Sequence, residues 1–257
     1  MLLYRIAPEG FYAVEDGGVL RVLYSNPFET LPGGWELGRA MDRETVSFLP
    51  PVVPGKIVGI GRNYLEHARE LGNELPPEPL LFLKAPSSLI GPNTPVVLPP
   101  ESARVEHEGE IAVVLRDRLK RADAETARQA VLGVTCACDV TARDLQRKDA
   151  TFARAKSFDT FCPLGPGILV GADLEEMTVI TRVNGAERQR GRAREMAWGI
   201  VDLLVYTSRM MTLEPGDVLL TGSPSGVGPL LDGDVVEVEI PGVGVLRNGV
   251  EAWRTAP

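Results

Sequence analysis

Few side chains in this 257-residue sequence can move a proton near neutral pH: two histidines, His67 and His107, and five lysines (56, 84, 120, 148 and 156) among 27 Lys and Arg. Histidine is the usual acid–base group there, so the placing of these few residues is informative. Carboxylates, by contrast, are crowded. In Val105-Glu106-His107-Glu108-Gly109-Glu110-Ile111 an extended chain puts Glu108 and Glu110 on one face, ~7 Å apart at Cα, with His107 and Gly109 on the other. Glu106 joins them only if the strand begins earlier. Neighbouring carboxylates coexist through solvent, a cation or a shared proton. A third acid, Asp139, ends the apolar run from Val134 and so delivers a carboxylate to the end of a strand. Together the three would form an all-oxygen, trianionic site suited to Mg²⁺, Mn²⁺ or Ca²⁺ rather than zinc. Spacing alone does not bring residue 139 to residues 108 and 110. A solvated strand face and a turn-initiating Asp fit the same residues.

The three cysteines, Cys136, Cys138 and Cys162, do not make a disulfide framework. No His or Cys pair completes a metal site around the first two, and ordinary buried thiols in a reducing cytoplasm are expected. A net charge of −8 argues against a nucleic-acid partner, which calls for a basic surface. No apolar run approaches the ~20 residues of a membrane span, and the first residues lack the order of a secretion signal.

Elements must position these groups. The 27 glycines and 21 prolines are spread along the chain, which implies many turns between short strands. Strands are expected at Leu2–Ile6, Gly10–Val14 and Val19–Tyr24, forming a small β-rich unit over residues 1–50. The Pro50-Pro51 and Pro54-Gly55 pairs set it apart from residues 51–257. Further strands are expected at Lys56–Gly61, Leu80–Lys84, Val105–Leu115, Val134–Val140, Val179–Val183, Val218–Thr221, Val235–Ile240 and Val243–Leu246. Asn184-Gly185 suits a type I′ hairpin turn. Helices are expected from Asn63, as N-cap, through Leu71 to a stop at Gly72, then at Ala124–Leu132 ending on Gly133, Ala142–Lys148 and Ala197–Met211. The class is a β-dominated α+β fold.

Several motifs, in order, carry a family resemblance. Gly61-Arg62-Asn63-Tyr64-Leu65-Glu66-His67 with Glu70, then Glu108-Gly109-Glu110, Asp139, Thr141-Ala142-Arg143-Asp144-Leu145-Gln146, Ala155-Lys156-Ser157-Phe158-Asp159 and Leu220-Thr221-Gly222-Ser223-Pro224-Ser225-Gly226-Val227-Gly228 resemble the fumarylacetoacetate hydrolase family. The resemblance covers about residues 56–247. It implies the family's mixed β-roll or sandwich core, a divalent ion (Mg²⁺, or Mn²⁺ or Ca²⁺) on Glu108, Glu110 and Asp139, and a homodimer. It casts His67, Glu70 and Lys156 as catalytic, the first two on a mobile lid. Arg62, Tyr64, Arg143, Gln146, Thr221 and Ser223 become substrate contacts. Ser223 stands where the family more often has Thr, a change that keeps the hydroxyl. His107, on the other strand face, is expected to be structural.

The chemistry so implied is a metal-stabilised enolate of a 2-oxo or 2-hydroxy-dienoic acid. The leading expectation is an isomerase of aromatic catabolism acting on compounds such as 2-hydroxyhepta-2,4-diene-1,7-dioate. Acylpyruvate hydrolysis and oxo-acid decarboxylation are the alternatives within the family. A non-catalytic metal and oxo-acid binder and a purely structural β protein are the alternatives outside it. The joint presence of His67, Glu70, three acids and Lys156 speaks against the binder.

Overall fold

The computed structural model describes residues 1–70, 72 and 74–254. Its centre is an eleven-stranded sheet. The middle strands, Cys162–Val170, Val131–Cys138, Gly109–Leu115 and Val218–Leu220, lie side by side, followed by Ile57–Gly61 and the edge strand Leu80–Lys84. Every residue of Gly109–Leu115 is buried, so this strand reads as one apolar run rather than an alternation, as strands covered on both faces do. Ile111 and Val113 pack on one side with Val179, Val236, Val238 and Leu246. These come from a five-stranded sheet built on Thr178–Val183, Ala186–Arg192, Val235–Ile240 and Gly244–Ala252, with Val96–Leu98 at its edge. Ala112 and Val114 point the other way, into a core with Leu3, Val14, Trp35 and Leu164. The β-dominated fold expected from the sequence is thus observed.

The first fifty residues supply Leu2–Ile6, Phe11–Asp16, Val19–Leu23 and an additional strand, Leu37–Met41. They extend the large sheet, because Leu2 and Leu3 pair with Leu169 and Ile168. Tyr4, Ile6, Ala13 and Leu20 form a small core of their own. At the hairpin, Asn184 and Gly185 have φ of 53° and 77°, the two positive values of a type I′ turn.

Three expectations change. The strand expected over 105–115 is two strands in different sheets. Val105–His107 pairs with Thr141–Ala142 and Gly228–Pro229, whereas Gly109–Leu115 enters the large sheet. The break falls at Glu108. The neighbouring Gly109 passes so close to the second sheet that a Cβ there would sit 1.9 Å from Thr181 Oγ1.

The helix expected over 124–132 stops at Gln129, and Val131–Gly133 already belongs to a strand. Gly133 is not a helix stop. A Cβ there would lie 2.2 Å from the Leu169 carbonyl oxygen, so it is the point where two strands approach too closely for a side chain.

Asn63 does not cap the Leu65–Glu70 helix. Its amide spans three chain segments: Nδ2 donates to the Thr221 carbonyl at 2.8 Å and to the Trp198 carbonyl at 3.2 Å, and Oδ1 accepts from Trp198 N at 3.0 Å. That clamp also holds Ala197 and Trp198 outside the long helix, which runs Ile200–Met210. The expected helix end at Leu71 lies outside the described residues. Gly72 donates its amide to the Arg69 carbonyl at 3.0 Å.

Candidate active site

Strand geometry brings the three acids together. Glu108 sits at the break between two strands, Glu110 is the second residue of the strand that follows, and Asp139 comes one residue after the Val131–Cys138 strand that pairs with it. The Asp139 amide donates to the Glu108 carbonyl at 2.8 Å, which locks the two chain ends together. One carboxylate oxygen from each of Glu108, Glu110 and Asp139 lies within 4.8 Å of the others, and all three residues are buried. Burial excludes the reading of a solvated acidic face.

Buried cations offset this charge. Lys156 Nζ donates to Glu108 Oε2 at 2.6 Å and also to Asp139 Oδ2. Arg143 Nε donates to Glu106 Oε2 at 2.6 Å, and its other nitrogens reach Glu108 and Gln146. A further lysine, Lys84, was not singled out in the sequence as a site residue. It ends the edge strand with a fully enclosed side chain and donates to Asp139 Oδ1 at 2.7 Å and to the carbonyls of Val140 and Lys156. Its one sequence signal was a scarce lysine closing an apolar strand.

The acids respond differently to this setting. Burial opposes charge on Glu108, but Lys156 and then Arg143 and His67 outweigh it and hold the carboxyl well below its ordinary range. For Glu110, burial, reinforced by the charges of Asp139 and Glu108, pushes the carboxyl well above 4.5. Its one hydrogen bond among the described residues is from Gly222 N at 2.7 Å. Burial also works against the Lys156 ammonium, yet Asp139 and Glu108 hold it protonated. A carboxylate raised by its neighbours, beside two others, is the donor set a hard divalent ion would satisfy. Glu108, Glu110 and Asp139 therefore fit such an ion.

A cleft of about 310 Å³ opens over Glu108, Glu110 and Lys156, at the small end of the range for small-molecule sites. His67 reaches it from the Leu65–Glu70 helix, whose three-residue spacing sets His67 and Glu70 on one face. His67 Nδ1 lies 3.2 Å from Glu70 Oε2, and Glu70 is fixed in turn by Gly226 N at 3.0 Å. With Nδ1 committed to Glu70, Nε2 is the ring nitrogen left to act.

Of the other residues singled out in the sequence, Arg62, Arg143, Gln146 and Ser223 line the cleft. Tyr64 and Thr221 do not. Tyr64 is buried with its hydroxyl unpartnered among the described residues, beside a separate hollow with Arg190 and Glu195. Thr221 turns its hydroxyl to the Ile111 carbonyl at 2.9 Å. Neither residue is among those lining the cleft over Glu108, Glu110 and Lys156.

His107 is buried against Gln189, with Nδ1 3.1 Å from Oε1, and burial lowers its pKa. Gln189 goes on to Ser223 Oγ at 2.6 Å and accepts from Gly109 N at 3.0 Å. It ties the acid-bearing strand to the Ser223 loop, and no motif in the sequence signalled it. The three cysteines are buried and unbridged, and burial pushes each thiol up to about 12.

Residues 56–251 match the model of the fumarylacetoacetate (FAA) hydrolase C-terminal family. The human protein "Oxaloacetate tautomerase FAHD2A, mitochondrial" is 42% identical over 223 residues, 82% of this chain and 71% of that protein. The structure of 5-carboxymethyl-2-hydroxymuconate delta-isomerase from Mycobacterium smegmatis superposes with a TM-score of 0.89 at 41% identity, covering 98% of this chain and all of that one. A 2-hydroxyhepta-2,4-diene-1,7-dioate isomerase from Mycobacterium marinum gives 0.89 at 37% identity, over 99% of this chain and all of its own. The buried acids with their lysine, in this fold, are those of an enzyme. The chain belongs to the fumarylacetoacetate hydrolase family.

Proposed function

We propose that this enzyme is a divalent-metal-dependent isomerase that shifts a proton within 2-hydroxy-dienoic or 2-oxo dicarboxylic acids, of the kind met in aromatic catabolism. The observation that carries the reading is the convergence of three buried carboxylates, Lys156 and a carboxylate-steered His67 on one cleft. The similar proteins described as isomerases and as a tautomerase support the same class of proton shift.

Lewis-acid polarisation of the substrate's 2-oxygen is the chemistry a divalent ion supplies when bound to the three acids. The chain's own residues do the rest. Glu70, anchored by Gly226 N, holds the His67 ring so that a neutral Nε2 faces the substrate as base. Nε2 takes the proton from the carbon next to the 2-oxo group and returns it further along the conjugated chain. Lys156 stays protonated between Glu108 and Asp139 and offsets negative charge building on the substrate oxygen. Gln146 and Ser223 supply hydrogen bonds at the cleft wall. The His67–Glu70 pair could equally steer a water molecule, which keeps C–C hydrolysis as the second reading.

A panel of 2-oxo acids assayed with Mg²⁺ separates the outcomes. Isomerisation changes ultraviolet absorbance without releasing CO₂ or splitting the carbon chain. Decarboxylation releases CO₂, and hydrolysis yields two acids. Chelation by EDTA should abolish turnover, and Mg²⁺ should restore it. Full turnover without a divalent ion would sink the proposal.

A further inference from the structure

The cations around the cleft are not equivalent. Arg143 and Lys156 are buried and already bond Glu106, Glu108, Asp139 and Gln146. Arg62 and Arg147 line the same cleft, yet neither guanidinium bonds any described residue. Arg147 lies four residues after Arg143 on the Arg143–Lys148 helix, so the two share a face. Arg147 is exposed where Arg143 is enclosed. Arg62 is half-buried and has φ of +58°, an unfavourable conformation for a residue with a Cβ, of the sort that persists where a side chain must be aimed.

The burial pattern gives the cleft a direction. Its floor is Glu108, Glu110 and Lys156, all buried. Half-buried Phe82 and Phe152 stand in the wall, packed edge to face with ring centres 5.8 Å apart. Of the two uncommitted guanidiniums, Arg147 belongs to an exposed residue and Arg62 to a half-buried one. We infer that Arg62 and Arg147 read a second carboxylate, so the cleft selects diacids over monoacids of the same length. The inference rests on the oxo-acid reading above. The oxo-acid end occupies the floor, an unsaturated or apolar spacer lies along the rings, and the distal carboxylate meets a planar fork that matches its geometry. Arg143, which the resemblance casts as a substrate contact, also lines the cleft and donates to Glu106 and Glu108.

The test compares the wild-type enzyme with Arg147→Met, Arg62→Met and Arg147→Lys. Each is assayed with Mg²⁺ on a 2-oxo diacid and on its distal monomethyl ester. Binding of a saturated diacid and its monoester is measured in parallel by calorimetry. The wild type should prefer the diacid by roughly 10- to 100-fold in kcat/KM and in Kd, as for hydrogen bonds to a charged group. Each Met variant should erase most of that preference, through KM rather than kcat, and Arg147→Lys should keep part of it. An unchanged preference in both Met variants, or equal losses on diacid and monoester, would overturn the assignment. If the wild type turns over neither compound, the oxo-acid reading fails, and the calorimetric preference still decides whether the arginines read a carboxylate.

Discussion

Glu110 is the carboxylate on which cation binding turns, because it alone of the three acids has no cationic partner among the described residues. Burial and the charges of Asp139 and Glu108 raise its carboxyl well above 4.5, so a proton competes with a divalent ion for it. In the ion-free protein its stabilising contribution is fully present below that ordinary value and is lost as pH rises through the raised folded value. An ion relieves this cost where the carboxylate is charged. Mg²⁺ or Mn²⁺ affinity by calorimetry should therefore weaken by roughly tenfold for each pH unit below the raised value, with protons released on binding. The rise in melting temperature on adding Mg²⁺ should be larger at pH 8 than at pH 5.5. Glu108→Ala should remove both binding and activity, and a pH-independent affinity would contradict the account.

Lys84 makes a second residue-scale case. Its enclosed ammonium satisfies Asp139 Oδ1 and two carbonyls. Lys84→Met leaves a buried carboxylate short of a partner and should cost about 3–5 kcal/mol, read by urea unfolding. A loss below about 1 kcal/mol, as for an exposed pair, would show that water reaches the site.

Among elements, the junction at Glu108 decides whether the acids meet. Val105–His107 and Gly109–Leu115 leave in different sheets, and Gly109 lies against Thr181 of the second sheet. Gly109→Ala should destabilise the fold by about 1–3 kcal/mol through overpacking. It should also weaken ion binding, since Glu108 and Glu110 flank the displaced residue. Thr181→Ala should recover part of the loss, because the nearest atom to the new Cβ is the Thr181 hydroxyl oxygen. A double-mutant cycle measured by unfolding would show that coupling, and strict additivity would argue against the contact. The same junction explains a sequence-level success: alternation put Glu108 and Glu110 on one side, and their oxygens do converge, although the strand breaks at the first of them. The Asn63 cap and the Gly133 helix stop had the right residue types but answered to contacts distant in sequence. Both are set by neighbours, Trp198 and Leu169, that no local pattern reveals.

At the scale of the whole molecule, the net charge of −8 says little about the substrate. Four acids, Glu106, Glu108, Glu110 and Asp139, are turned inward, and all but Glu110 are met by Lys84, Arg143 and Lys156. We propose the homodimer that the resemblance implies, and light scattering should return twice the monomer mass. No helix among the described residues is long and apolar enough to cross a membrane.

The strand-rich class and the hairpin at Asn184-Gly185 were legible in the amino-acid chain alone, and its ordered motifs carried the family and, through that resemblance, the candidate roles of the acids, His67, Glu70 and Lys156. These rest on local chemistry: turn residues, alternation and residue types at fixed spacing. Contacts distant in sequence bring Asp139 to Glu108 and Glu110, set Lys84 and Gln189 behind them, place Tyr64 and Thr221 outside the cleft lining and pair Arg143 with Glu106 and Glu108. Those outcomes depend on strand pairing and on where charge is buried, and both are set by contacts between residues far apart in the chain.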